Sequence, residues 1–281
     1  MALMSAELAQ HPGLEPISKA ILSLIAILDG YGAQTWNLRL VGLATVLTLA
    51  VVRSLLQKKR GIDWYALLHA LVSGLGSIAC VYLDYFASEA LTGTTEPLRS
   101  IQCQGPLTSL HRILPAITMG YSMFDILDGM TISVDFALHG AATFSVMAFF
   151  CEHNAPHIIA PMLLMEVSTI PLTIVRADFV SETVTASIQA SFAIFFLIFR
   201  VVMVPLIWGK LILTMVEQGS TDAYTSCFPS YFMPVAFGFG MVFHSLNAFW
   251  FYKIIKKIRR KMRGIEKVQA NNELKQLKKE D

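Results

Sequence analysis

Seven stretches of this chain are apolar for about the 20 residues that a helix needs to cross the hydrocarbon core of a bilayer. They are Leu38–Leu56, Trp64–Phe86, Ile113–Gly129, Thr131–Cys151, His157–Val175, Ile188–Met215 and Tyr231–Ile254. In lipid no backbone N–H or C=O can turn to water, so runs of this length cross as helices that satisfy their own backbone. The composition agrees. Only 15% of the 281 residues are charged, 54% are hydrophobic and the mean hydropathy is +0.56. A soluble domain carries roughly 25% charged residues to face water. A small soluble enzyme is thereby excluded, and the expected class is an all-α polytopic membrane protein with about seven transmembrane helices.

The organisation expected is a segment over residues 1–37, a membrane region over 38–254 and a basic tail over 255–281. Ile17–Leu28 is apolar but too short to span, and it lacks the basic approach and cleavage site of a signal peptide. It reads as an interfacial helix. From Lys253 onward there are 11 Lys and Arg against 4 Asp and Glu, whereas the preceding residues carry 11 basic and 16 acidic. A basic cluster directly after an apolar span is a cytosolic anchor against anionic headgroups rather than a nucleic-acid arm. Arg53, Lys58, Lys59 and Arg60 follow the first span in the same way. Both clusters on the cytosolic side require an odd number of helices, with the N-terminus luminal and the C-terminus cytosolic. Cys103 and Cys227 then share the oxidising side, either as a bridge or as two free thiols. No CxxC pair and no Cys/His spacing suited to a metal occurs, and no cofactor is called for. Lys278 and Lys279 stand where a cytosolic dilysine signal, read by coat protein, returns membrane proteins to the endoplasmic reticulum; a lysine-rich tail also produces such a pair by chance.

Ionisable side chains inside a bilayer cost roughly 2.5–3.5 kcal/mol each on insertion scales, so those retained at depth are candidates for function. Asp135 and His139 lie four apart and share a helix face. A carboxylate beside an imidazole fixes its tautomer and raises its basicity, which suits a proton acceptor or a headgroup anchor. Glu166, followed by Ser168 and Thr169, sits mid-span, as do Arg200 and His244. Glu166 and Arg200 either anchor a ligand or neutralise each other across two helices. Asp125 and Asp128, after Tyr121, mark either a helix end or the acidic rim of a cavity. His69 and Asp84 fall near opposite ends of the second span and read as interfacial. Trp208, Trp250 and Tyr252 read as belt residues, and Pro205 predicts a kink in the long sixth span.

The order of these features resembles the TLC-domain family, named for TRAM, Lag and CLN proteins. It is carried by Gly120-Tyr121, Asp125 and Asp128, His139, Glu166-Val-Ser168-Thr169 and Phe199-Arg200 through Pro205, over about residues 60–260. The resemblance implies a helical bundle or barrel around a lipid-sized cavity in endoplasmic reticulum membranes. For the ceramide-synthase branch it implies acyl transfer from acyl-CoA to a sphingoid base by two adjacent histidines. His139 matches the first and Gly140 replaces the second, so the chain looks closer to the non-synthase members. The function expected is lipid binding, sensing or transport that influences phospholipid and sphingolipid composition. Asp135, His139, Glu166, Ser168, Arg200, His244 and Tyr121 would contact the lipid. The alternative is a sphingoid-base N-acyltransferase with His139 as base and Asp135 orienting it. A solute transporter would show Gly/Pro-interrupted spans in corresponding halves, a pattern missing here.

Overall fold

The structure is a computed structural model that describes residues 15–56, 63–86, 108–132, 134–175, 181–218 and 227–280, nearly all of them helical. Eight helices follow one another. They are α1 (Glu15–Gly30), α2 (Leu38–Leu56), α3 (Trp64–Phe86), α4 (Ser109–Ile132), α5 (Val134–Glu152), α6 (Pro156–Ile174), α7 (Glu182–Phe195 continuing through Phe196–Met203 to Val204–Gln218) and α8 (Phe232–Glu280). Lys58, Lys59, Arg60 and Cys103 lie outside the described residues.

Neighbour relations close a ring. α3 packs on α4, α4 on α5, α5 on α8, α8 on α7, α7 on α6, and α6 back on α3, while α2 lies outside against α4. The outward stripes of α2 (Leu40, Leu43, Leu47, Val51, Leu55) and α7 (Ile194, Leu197, Ile198, Val202, Leu206, Leu213) are exposed large aliphatics. Their spacing of three to four residues puts each row on one helix face. A soluble protein does not leave such continuous apolar faces bare, whereas a bilayer covers them.

Among the described residues, six helices are long and apolar enough to span, namely α2, α3, α5, α6, α7 and α8. The expected third span falls in α4, which has 24 residues but includes Arg112, Asp125 and Asp128. α4 is held by α2, α3 and α5, and more than half of its residues are buried. A helix screened from lipid by its neighbours has no need of an apolar surface. α1 is helical as expected. Its Ile21, Leu22 and Ile25 cover Leu83, and its Asp29 accepts a hydrogen bond from Ser109 Oγ.

Small residues let backbones touch, which is how helices associate without a hydrophobic drive between them. A Cβ at Gly120 would lie 2.4 Å from the Gly42 carbonyl oxygen, and one at Gly140 would lie 2.6 Å from Ile126 N. The α4–α5 hairpin therefore crosses in backbone contact at Gly140.

Two helices depart from α geometry. Residues Ala160–Ser168 of α6 form a 3₁₀ stretch, with Pro156 before it and Pro161 at its second position. Its carbonyls find partners elsewhere: Ser77 Oγ donates to Ala160 O at 2.9 Å and Pro161 O at 3.0 Å. In α7, Phe196–Met203 form a π-helical stretch just before Pro205. Proline has no N–H for the carbonyl four residues back, and a slipped ladder is one way a bilayer helix absorbs that loss. The expected irregularity at Pro205 is there, widened by a register shift that carries Arg200.

Cys227 is disulfide-bonded, whereas Cys80 and Cys151 are buried free thiols. Mass mapping after alkylation without reduction is expected to leave Cys227 unmodified and to label Cys80 and Cys151 only on unfolding. Free labelling of Cys227 in the folded protein would contradict this.

Candidate functional site

All six ring helices contribute side chains to one cavity of about 320 Å³, toward the ends of α4 and α7 that carry Asp125 and Phe192. That is at the low end of the range for small-ligand sites. Its polar lining includes Tyr121 and Asp125 from α4, Asp135 and His139 from α5, Glu166, Ser168 and Thr169 from α6, Arg200 from α7, and Lys253 from α8. Phe136, Leu172, Phe192, Phe196, Trp250 and Ile254 supply apolar surface. A larger groove of about 540 Å³ lies on the outer side between α2, α3 and α4. Its lining is mainly aliphatic and offers little chemistry beyond His69, which it reaches.

The floor of the inner cavity is a fixed cation. Arg200 is buried, and its Nε donates to Met165 O at 3.0 Å and to Ser168 Oγ at 2.8 Å. One Nη donates to Thr169 Oγ1 at 3.0 Å and stands 3.5 Å from Glu166 Oε1. Thr169 Oγ1 in turn donates to Glu166 Oε2 at 3.0 Å. The guanidinium also lies over the Phe196 ring, 5.3 Å from its centroid. The 3₁₀ geometry of α6 exposes the Met165 carbonyl to Arg200, and the π stretch of α7 sets the arginine's register. The two irregular helices meet at this cluster.

Around the floor stands a second layer that the sequence did not suggest. His69, read as interfacial, is buried; it stacks flat on Tyr121 with centroids 3.7 Å apart and lies 4.0 Å from Glu166. His69 Nε2 and Thr118 Oγ1 are 3.2 Å apart, and Thr118 is 3.1 Å from Ser73 Oγ. Asp84 is also buried rather than interfacial, 3.4 Å from His111. The signal that could have found His69 is its spacing from Ser73 and Ser77, one polar residue per turn on one face of α3.

At the rim, Asp135 and His139 share the cavity but no hydrogen bond. Asp135 Oδ2 accepts from Trp250 Nε1 at 3.1 Å and from Lys253 Nζ at 2.9 Å. Crossing of α5 with α8 turns the carboxylate toward those donors. His139 is buried against the edges of Trp250 and Phe243, and its Nδ1 has no hydrogen-bond partner. Trp250 is thus a wall of the site rather than a belt residue. Trp208 is buried beside His244.

Two expected contacts fall elsewhere. Asp128 does not line the cavity; it pairs with Arg53 at 2.7 Å and accepts from the Tyr65 hydroxyl. His244 lines a separate small void of about 30 Å³ between α5, α6 and α7, with Thr143 and Glu166 on its other walls. Lys278 and Lys279 lie in the last turn of α8.

A ring of apolar helices enclosing a polar, aromatic-walled cavity with a buried cation at its floor defines a polytopic membrane protein with an internal cavity. The sequence model of the TLC domain matches residues 59–256, and the chain belongs to that family. The comparisons with curated proteins and with solved structures return no match.

Proposed function

We propose that this TLC-domain protein binds a membrane lipid by its polar end in the ring cavity, and that it senses or transports that lipid in the endoplasmic reticulum membrane. The observation that carries the reading is the combination of a buried Arg200–Glu166 floor with an unpartnered His139 Nδ1 and aromatic walls. Arg200 is held by protein groups through its Nε and one Nη, so it shapes the floor and its potential. His139 keeps bonding capacity for a ligand. Native mass spectrometry of the purified protein is expected to show an intact lipid held reversibly. His139→Ala should weaken retention while leaving the fold intact. Retention unchanged in His139→Ala would remove His139 from the site.

The specific observation favouring the acyltransferase alternative is the same open Nδ1, which is where a general base needs its lone pair. Against it stands the packing at Gly140. The position of the second histidine is in backbone contact with Ile126 and has no room for any side chain. Acyl-CoA-dependent formation of an N-acyl product by purified wild-type protein, lost in His139→Ala, would establish the alternative.

The orientation proposed has the Arg53 and Lys253 end in the cytosol, following the basic clusters. Replacing Lys278 and Lys279 by serine is expected to move the protein beyond the endoplasmic reticulum. An unchanged location would show the pair to be a by-product of a lysine-rich tail.

A further inference from the structure

The cavity is not electrically balanced. Apart from Asp63, whose charge acts on Arg53, the ring helices bring three carboxylates to its lining, Asp125, Asp135 and Glu166, against two cations, Arg200 and Lys253. Each cation is matched to one carboxylate, Arg200 to Glu166 at 3.5 Å and Lys253 to Asp135 at 2.9 Å. Among the described residues Asp125 forms no ion pair; the Tyr121 hydroxyl is its near partner, and Arg200 acts on it only at longer range. Asp125 also sits at the helix crossing, where a Cβ on Gly140 would lie 3.0 Å from its own Cβ. Gly140 follows His139 in α5, so Asp125 and His139 come from the two helices that meet at that crossing. His139 is 9% exposed and lines the same space. A neutral imidazole nitrogen accepts a hydrogen bond, and an ionised carboxylate only accepts. Asp125 and the open Nδ1 of His139 therefore offer acceptors to the cavity.

Aromatic faces complete the pattern. Tyr121, Phe136, Phe192, Phe196 and Trp250 line the cavity. Aromatic walls with a carboxylate are the arrangement that holds ammonium groups, through the negative face of each ring. The cation at the rim has capacity to spare. Lys253 Nζ carries three donors and gives one to Asp135, and the lysine side chain is 50% exposed. Acceptors inside and a partly used cation outside match a molecule that leads with an ammonium and carries a phosphate behind it.

From this geometry we infer that the cavity selects a zwitterionic phospholipid headgroup, its ammonium between Asp125, His139 and the aromatic walls and its phosphate at Lys253. The inference rests on the lipid-binding reading above and names the ligand class for that site. An anionic headgroup would set negative charge against Asp125. A long-chain amine would leave Lys253 without its phosphate. A headgroup lacking chains would lose the apolar contacts with the surrounding helices.

The test is a competition series on the purified full-length protein in detergent, read by native mass spectrometry. The probes are phosphatidylethanolamine, phosphatidylcholine and phosphatidylglycerol of identical short chains, a long-chain amine, and free phosphocholine. The two zwitterionic lipids should bind at least ~10-fold tighter than phosphatidylglycerol, the scale of one desolvated cation–aromatic contact. They should also bind tighter than the amine, and free phosphocholine should not compete at matched concentration. Asp125→Asn should bring the zwitterionic-to-anionic ratio to within about threefold, and Lys253→Met should weaken both phospholipids without changing amine binding. Phosphatidylglycerol or the amine binding as tightly as the zwitterionic lipids in the wild type overturns the inference, as does a ratio unmoved by Asp125→Asn. The wild-type series decides the matter if that variant does not fold. Absence of binding by every lipid probe overturns the lipid-binding reading itself, and is thereby distinct from binding without headgroup preference.

Discussion

Arg200→Met should lower the stability of the protein by about 3–5 kcal/mol, the cost of leaving a buried charge without its partner. Removal of the guanidinium strands the Glu166 carboxylate, which is buried and retains only the Thr169 hydroxyl and a histidine at 4.0 Å. It also strips a donor from the Met165 carbonyl, which keeps the Ser168 hydroxyl of its own helix. Arg200→Lys should recover little of the loss. One ammonium cannot reproduce the planar fork that reaches Met165 O, Ser168 Oγ and Thr169 Oγ1 together. The double variant Glu166→Gln/Arg200→Met should be more stable than the sum of the single losses, with a coupling of about 0.5–3 kcal/mol. Thermal and denaturant unfolding in detergent measure all four states. An Arg200→Lys protein within about 0.5 kcal/mol of wild type would show that charge alone, and not the fork, holds the floor.

Gly140→His should not create an acyltransferase. It should open the α4–α5 hairpin. The Ile126 N, Asp125 C and Asp125 Cβ atoms stand 2.6, 2.8 and 3.0 Å from where its Cβ would be. Two of those are backbone atoms, so relief requires one helix to move as a body. Overpacking of this kind costs about 1–3 kcal/mol or more. Gly140→Ala should share most of the penalty, because the first carbon already collides. Comparable melting temperatures for Gly140→Ala and wild type would mean that the helices separate freely. Restored N-acyl transfer in Gly140→His would mean that the crossing tolerates a catalytic pair. The expected pattern is loss of stability, with lipid retention falling in step as Asp125 and His139 are pushed apart.

These two outcomes bear on how the cavity works. Its floor is rigid because a single arginine ties α6 to α7 through three protein acceptors. Its walls are positioned by the α4–α5 crossing at Gly140. Between those parts Asp125, His139, Trp250 and Lys253 line the cavity, and these are the residues proposed to meet the ligand. Substitution at the floor or the crossing therefore acts on stability first, whereas substitution in the middle acts on binding.

Much of this protein was legible in the order of its residues. Apolar runs of bilayer length dictate helices, because no other local structure satisfies the backbone in lipid. The cost of ionisable groups at depth marked Glu166, Arg200, Asp135, His139 and His244; the cavity collects the first four, and His244 lines a separate void. Partner choice was not legible. Spacing puts Asp135 and His139 on one face of α5, yet Asp135 turns to Trp250 and Lys253, more than 100 residues away along the chain. Nor did spacing give the burial of His69 or the pairing of Asp128 with Arg53. Periodicity within a helix says which side chains share a face; it says nothing of which helix that face will meet. That depends on crossing points set by glycines at 120 and 140 and on the register shifts at the 3₁₀ and π stretches, and these arise only when several helices pack at once. The sequence by itself determined a helical membrane protein with costly polar groups at depth. Tertiary packing alone decided which of those groups neutralise one another and which face the cavity.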